Sequence, residues 1–122
     1  MGKKILIIDD EPTTVESLES FLEERGYEVE GATSGKEGIE IIKNEGADIV
    51  FLDIRMPEMD GIETLKRIKE VSPGTYVIMI TAFAEVDSAV DAMKEGAFDY
   101  IRKPFKIEDV KTSVLGALEE LE

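Results

Sequence analysis

Short runs of apolar residues alternate along the chain with longer segments of helical periodicity. Three of these runs are continuous, which is typical of strands that are buried on both faces of a parallel sheet. Two weaker segments are partly polar and predict strands at the edges of that sheet. The continuous runs are Ile5–Ile8, Ile49–Leu52 and Val77–Ile80, and the weaker segments are Tyr27–Glu30 and Asp99–Arg102.

A segment with the spacing of an amphipathic helix follows each of these five runs. The first begins at Pro12, which suits a first helical turn, and stops at Gly26. The second and third begin with capping-box signatures, Ser34–Glu37 and Asp60–Glu63. The predicted buried stripes include Val15, Leu18 and Leu22 in the first helix, Val86, Ala89, Val90 and Met93 in the fourth, and Val110, Val114, Ala117, Leu118 and Leu121 in the fifth.

A strand followed by a helix is therefore repeated five times, with no linker or low-complexity tract between the repeats. Crossovers between parallel strands are right-handed, so this order predicts an α/β fold with a doubly wound parallel sheet and helices on both faces. A chain of 122 residues is the size of one domain. We therefore expect residues 1–122 to form a single domain.

Charge and composition exclude several functions. The 28 acidic residues outnumber the 14 basic ones, which gives a net charge of −14. Nucleic acids and anionic membranes are polyanions, so we expect neither as a direct partner. The chain has no histidine and no cysteine, which excludes catalytic pairs, zinc sites and disulfides that need them. The chain has no signal-peptide pattern and no apolar stretch of membrane-spanning length, so a cytoplasmic location is expected.

Polar side chains come directly after the apolar runs. In open α/β sheets, ligands bind at the carboxyl ends of the strands, so these side chains are expected to meet at one edge. Each of them alone is also common as a helix cap or loop residue. Their recurrence after all three continuous runs points to a site. They are Asp9, Asp10 and Glu11 after the first run, Asp53 after Ile49–Leu52, Thr81 after Val77–Ile80, and Lys103 with Pro104 after Asp99–Arg102.

These carboxylates would repel one another. Two of them about 4 Å apart do so by about 4 kcal/mol at an effective dielectric constant near 20. Such a cluster requires a cation or raised pKa values, and oxygen ligands alone favour a hard ion such as Mg²⁺. Acidic metal ligands beside a lysine and a hydroxyl form an arrangement for phosphoryl transfer, in which a carboxylate can be the nucleophile. Without histidine and cysteine, the phosphoacceptor is an Asp, Ser, Thr or Tyr.

The same residues lie in stretches that resemble the receiver domains of two-component response regulators, and the resemblance covers essentially the whole chain. It implies a flavodoxin-like sheet of strand order 2-1-3-4-5. It also implies a signalling module, not an enzyme, which accepts a phosphoryl group from a sensor histidine kinase or histidine phosphotransfer domain and switches its surface. It specifies neither the kinase nor the downstream effector. The stretches are Ile7–Glu11, Leu52–Gly61, Ile80–Ala82, Gly96–Tyr100 and Arg102–Phe105.

The resemblance also implies a role for individual residues. Asp53 is the expected phosphoacceptor, and Lys103 is expected to pair with the phosphoryl group. The expected Mg²⁺ ligands are Asp10, Asp53 and the main-chain carbonyl of Arg55, with Asp9 acting through a bound water.

Two further sets of residues concern switching and docking. The resemblance implies that Thr81 bonds the phosphoryl group, that Tyr100 moves with it, and that the Lys103–Pro104 peptide bond is cis. A kinase or phosphotransfer domain must present its phosphohistidine in line with Asp53, so its docking surface is expected around the same edge. The candidates are Thr13, Thr14, Val15, Leu18, Pro104 and Phe105.

Three other readings compete with this one. A haloacid-dehalogenase-type phosphatase also uses an Asp nucleophile and Mg²⁺, but it needs a second Asp where this chain has Arg55. A flavodoxin-type carrier shares the fold, but Asp9–Glu11 would repel the flavin phosphate. A receiver-like scaffold that only binds partners stays open. It also stays open whether the chain works alone, as a phosphoryl shuttle or switch, or was cut from a longer transcriptional regulator.

Overall fold

Strands and helices alternate five times along the chain in a computed structural model that describes residues 3–53, 60–82 and 86–121. The strands are β1 (Lys4–Ile8), β2 (Glu28–Ala32), β3 (Ile49–Asp53), β4 (Tyr76–Thr81) and β5 (Asp99–Arg102). The helices are α1 (Pro12–Glu24), α2 (Gly35–Glu45), α3 (Gly61–Val71), α4 (Val86–Lys94) and α5 (Ile107–Leu121).

The five strands form one sheet in the order β2-β1-β3-β4-β5, and all neighbouring strands are parallel. This order and the doubly wound parallel architecture confirm the expected fold. Of the two edge strands, β2 lies later than predicted, because its pairing with β1 continues to the end of that strand, where Ala32 is opposite Ile8.

Helices pack on both faces of the sheet, and each face has its own apolar core. Leu6 and Ile8 of β1 contribute to the core under α2, α3 and α4, whereas Ile5 and Ile7 contribute to the core under α1 and α5. Because side chains alternate along a strand, a strand covered on both faces needs apolar residues at successive positions. This double burial explains why β1, β3 and β4 have continuous apolar sequences.

Both predicted capping boxes begin helices. Ser34 Oγ accepts a hydrogen bond from the Glu37 backbone N–H at 3.1 Å, and Asp60 Oδ1 accepts one from the Glu63 N–H at 2.9 Å. These bonds satisfy donors that the first helical turn leaves without intrahelical partners. Among the described residues, no helix combines the length and apolar character needed to cross a bilayer.

The predicted buried stripe of α4 is wrong. Among the residues of α4 whose side chains the structure describes, Ala92 is fully buried, whereas Val90 and Met93 are exposed and Ala89 is half-buried. Successive residues of a helix are about 100° apart, so Ala92 cannot share a face with both Val90 and Met93. The side chain of Val86 lies outside the described part of the molecule.

Candidate functional site

The carboxyl ends of four strands bring side chains from distant parts of the chain to one edge of the sheet. Asp9 follows β1, Asp53 ends β3, Thr81 ends β4 and Lys103 follows β5. Residues 9 and 53 are neighbours because β1 pairs directly with β3 in a register that places Ile8 opposite Leu52. The convergence expected from the sequence is therefore present.

Three aspartates form a compact cluster at this edge. Asp9, Asp10 and Asp53 each offer a carboxylate oxygen, and these three oxygens lie within 4.8 Å of one another. Asp9 and Asp53 are buried, whereas Asp10 is exposed and opens the cluster to solvent. Carboxylates this close repel one another more strongly when they are buried. Their oxygen atoms fit the ligand preference of a hard divalent cation.

Lys103 contacts three carboxylates of this edge. The Lys103 Nζ donates hydrogen bonds to Asp9 Oδ2 at 2.7 Å and to Glu11 Oε1 at 3.0 Å, and it lies 3.7 Å from Asp53 Oδ2. Burial lowers the pKa of the Lys103 ammonium, but its hydrogen bonds to Asp9 and Glu11 and the charges of Asp9 and Asp53 outweigh burial, so the pKa is raised overall. Lys103 is therefore cationic at neutral pH.

Thr81 and Tyr100 lie on neighbouring strands beside this cluster. Thr81 is fully buried at the end of β4, and its carbonyl oxygen accepts a hydrogen bond from the Lys103 backbone N–H at 2.7 Å. Tyr100 is half-buried and packs against the core under α2, α3 and α4. A cleft of about 680 Å³ extends from Tyr100 along Lys103 and Pro104 to α5, and the Lys103–Pro104 peptide bond is cis, as expected.

The docking residues expected from the sequence divide into exposed and buried ones. Thr13 and Pro104 are exposed, and Thr14 and Phe105 are half-buried. Val15 and Leu18 are buried in the core between α1 and the sheet, so they offer no surface to a partner, and their inclusion was wrong. Their spacing places them on the inner face of α1. The expected ligand Arg55 lies outside the described residues.

Glu11 lies at this edge, and the sequence predicts no individual role for it. It was noted as one of several carboxylates after the first strand, and its contact with Lys103 spans 92 positions of the chain. One signal was available in the sequence. Glu11 directly precedes the Pro12 that begins α1, and glutamate is not among the residues that favour the N-cap position.

Similar sequences and solved structures identify the family of this chain. The sequence profile of the response regulator receiver domain matches residues 5–115. The regulatory protein AtoC of Escherichia coli K12 is 40% identical over 116 residues, which cover 95% of this chain and 25% of AtoC. The chain thus spans about a quarter of the length of that curated relative.

Two other similar proteins match this chain over most of their own length. The chemotaxis protein CheY of Thermotoga maritima is 41% identical over 107 residues, which cover 87% of this chain and 89% of CheY. A crystal structure of a CheY-like receiver domain protein from Methanospirillum hungatei has a TM-score of 0.95 at 36% identity and covers 98% of this chain and 96% of its own. The chain belongs to the receiver domain family of two-component response regulators.

Proposed function

We propose that this receiver domain, taken as residues 1–122, accepts a phosphoryl group on Asp53 from a sensor histidine kinase or a histidine phosphotransfer domain, in a reaction that depends on Mg²⁺. One observation carries the proposal. The Asp53 carboxylate is buried at the end of β3, shares a cluster with Asp9 and Asp10, and has the Lys103 ammonium 3.7 Å from its Oδ2. A nucleophilic carboxylate with cationic stabilisation beside it is the arrangement that phosphoryl transfer requires.

In the proposed step, a carboxylate oxygen of Asp53 attacks the phosphorus atom of a phosphohistidine. A P–O bond forms and the P–N bond breaks, so its electron pair returns to the imidazole nitrogen, which takes a proton from solvent. The product on Asp53 is an acyl phosphate. With acetyl phosphate as donor, the bond that breaks is P–O, and acetate leaves without a proton.

The residues that would hold Mg²⁺ are Asp10, Asp53 and the main-chain carbonyl of Arg55, with Asp9 acting through a water. When bound, the ion neutralises charge on the phosphoryl oxygens and on the carboxylates around them. Lys103 supplies a second positive charge, and its hydrogen bond to the buried Asp9 keeps the ammonium at this edge. The two cations together would offset the repulsion between Asp53 and an anionic phosphodonor.

Thr81 and Tyr100 are the proposed switch. A phosphoryl group adds about 1.5–2 negative charges, and a hydrogen bond from the Thr81 hydroxyl to it would contribute roughly 1.5–3 kcal/mol. A change from 1:99 to 99:1 in a two-state equilibrium needs about 5.5 kcal/mol. Lys103 and the repacking of Tyr100 must supply the remainder. A partner would approach over the exposed and half-buried residues Thr13, Thr14, Pro104 and Phe105.

The substitution Asp53→Asn tests the phosphoacceptor. After incubation with acetyl phosphate and Mg²⁺, the intact mass of the wild type should increase by one phosphoryl group, and that of the variant should not. The far-ultraviolet circular dichroism of the variant should stay unchanged. Asp48→Asn is the matched control, because Asp48 lies before β3 at the opposite edge of the sheet and accepts a hydrogen bond from the Lys4 backbone N–H. Undiminished labelling of the Asp53→Asn protein would overturn the proposal.

The substitution Thr81→Ala tests the switch. The variant should still gain the phosphoryl group, but the NMR shifts of Tyr100 should change less on phosphorylation than in the wild type, because the buried hydroxyl that is proposed to follow the phosphoryl group is gone. A full wild-type shift change at Tyr100 would show that the two residues are not coupled.

A further inference from the structure

Glu11 occupies the N-cap position of α1 without capping it. Its backbone is extended, with φ −94° and ψ 109°, and its carbonyl oxygen accepts hydrogen bonds from the N–H groups of Thr14 and Val15, but its side chain makes no cap hydrogen bond. Caps are normally the short side chains of Ser, Thr, Asp or Asn, which reach back to the first turn. The Glu11 side chain instead reaches Lys103. A residue that departs from a local preference in this way is expected to act elsewhere.

The Lys103 ammonium is held closer to the segment between β1 and α1 than to Asp53. An ammonium group has three N–H donors. Two of these serve Asp9 at 2.7 Å and Glu11 at 3.0 Å, whereas the 3.7 Å separation from Asp53 Oδ2 exceeds hydrogen-bond length. The lysine is thus drawn away from the carboxylate on which we propose that the phosphoryl group is carried.

The two carboxylates that hold Lys103 differ in how easily they can release it. The Asp9 side chain is fully buried, and its Oδ1 also accepts a hydrogen bond from the Glu11 backbone N–H at 2.9 Å. The Glu11 side chain is 58% exposed. If the Lys103 bond to Glu11 breaks, water can take its place, whereas a broken bond to Asp9 would leave a buried charge short of a partner.

We propose that Glu11 is a positioning residue that tethers the Lys103 ammonium in the unphosphorylated protein and gives it up when a phosphoryl group is present on Asp53. This inference rests on the proposed function. Lys103 has a third donor, but its ammonium lies 3.7 Å from Asp53 Oδ2 and must move towards Asp53 to reach a phosphoryl oxygen there. This movement takes it away from the segment between β1 and α1, and the exposed contact with Glu11 is the one that is lost first. The tether therefore stabilises the unphosphorylated protein, and its loss shifts the balance towards the phosphorylated one.

The first experiment uses unphosphorylated protein and observes the Lys103 ammonium by ¹H–¹⁵N NMR. Glu11→Gln should shift the Lys103 resonance and accelerate the exchange of its protons with water. Glu24→Gln, which removes the same charge from the last residue of α1, should change neither. A Lys103 resonance that is identical in the wild type and in Glu11→Gln would overturn the tether.

The second experiment measures the ratio of phosphorylated to unphosphorylated protein at steady state with acetyl phosphate and saturating Mg²⁺. Glu11→Gln should raise this ratio about two- to five-fold, the range expected from the loss of an exposed ion pair. Glu24→Gln should leave it unchanged. A ratio that stays the same or falls in Glu11→Gln would overturn the proposal.

A third variant separates the effect of side-chain length from the effect of charge. Glu11→Asp keeps the negative charge but shortens the side chain by one methylene, so it should cap α1, lose Lys103 and behave like Glu11→Gln in both experiments. If Glu11→Asp behaves like the wild type, the effect of Glu11→Gln is one of charge alone and the tether is wrong. If the wild type is not labelled on Asp53 at all, the proposed function fails, whereas the NMR experiment still tests the tether.

Discussion

Two lysines lie at opposite ends of the strands, and each is surrounded by carboxylates. The two sets of carboxylates differ in how exposed they are. Lys4, at the start of β1, forms ion pairs with Glu30 at 3.3 Å and with Glu45, whereas Lys103 contacts Asp9, Glu11 and Asp53. The two lysine side chains are almost equally shielded, 15% and 11% exposed. The partners of Lys4 are 39% and 49% exposed, whereas two partners of Lys103 are only 0% and 7% exposed.

This difference in burial decides what each lysine does. The hydrogen bond that Lys4 donates to Glu45 raises the pKa of Lys4, against the opposing effect of burial, and the same bond lowers the pKa of Glu45. Water can still hydrate these exposed carboxylates if the lysine is lost, so the ion pairs contribute little to stability. The buried carboxylates around Lys103 have no such alternative, and they depend on a cation.

The largest expected effect comes from removing each lysine in turn. Lys103→Met should lower the free energy of unfolding by about 3 kcal/mol in the absence of metal, because it leaves buried carboxylates without their cation. Lys4→Met should lower it by less than about 1 kcal/mol. Urea unfolding followed by circular dichroism measures both values. Mg²⁺ should restore part of the loss in Lys103→Met and none in Lys4→Met, and equal losses in the two variants would refute the distinction.

Removing one carboxylate from the aspartate cluster and one from the partners of Lys4 should have opposite effects on stability. Asp10→Asn should raise the metal-free stability by about 1 kcal/mol, which is the repulsion between unit charges about 4 Å apart in water, and should weaken Mg²⁺ binding. Glu30→Gln should lower the stability slightly, because it removes a partner of Lys4. Urea unfolding and a Mg²⁺ titration provide the measurements. An Asp10→Asn protein that binds Mg²⁺ as the wild type does would contradict its assignment as a ligand.

The smallest expected effect is the pH dependence of the Glu45 ion pair. The pKa of Glu45 is lowered in the folded protein, mainly by its hydrogen bond from Lys4, so its contribution to stability is present above its ordinary value of 4.5 and is lost as the pH falls through the lowered folded value. The difference in urea midpoint between the wild type and Glu45→Gln should therefore be constant near neutral pH and disappear in acid. Added salt should reduce it. A difference that persists at low pH would mean that packing, and not charge, is responsible.

The sequence predicted those parts of the molecule that follow from local pattern. Continuous apolar runs identify the central strands because both faces of each strand are covered, and the residue after each run is fixed by the strand that precedes it. Asp9 and Asp53 could be placed at the same edge of the sheet for this reason, and the strand order implied by the resemblance makes β1 and β3 neighbours. Their proximity required only that the strands be parallel and neighbouring.

The features that escaped prediction depend on geometry between elements. The contact between Glu11 and Lys103 depends on the exact positions of two loops whose residues are 92 positions apart in the chain. Ala92 is buried because of the way α4 is rotated about its axis. The sequence does not indicate this rotation, because the larger apolar residues Val90 and Met93 are the exposed ones. Apolar periodicity assumes that the largest side chains face the core, and α4 departs from this rule.

The position of β5 at the edge of the sheet has a consequence for how the site opens. Asp9 follows β1 and Asp53 ends β3, and both of these strands have a neighbouring strand on each side. Lys103 follows β5, a four-residue strand with a single neighbour. Native proteins undergo sub-global opening that starts in their least stable units, and a short edge strand has few hydrogen bonds to protect it from amide exchange. An opening confined to β5 and its loop would remove the lysine while the aspartates stay together. While the lysine is away, the carboxylates at this edge would be without their ammonium partner and would attract cations more strongly than in the closed arrangement.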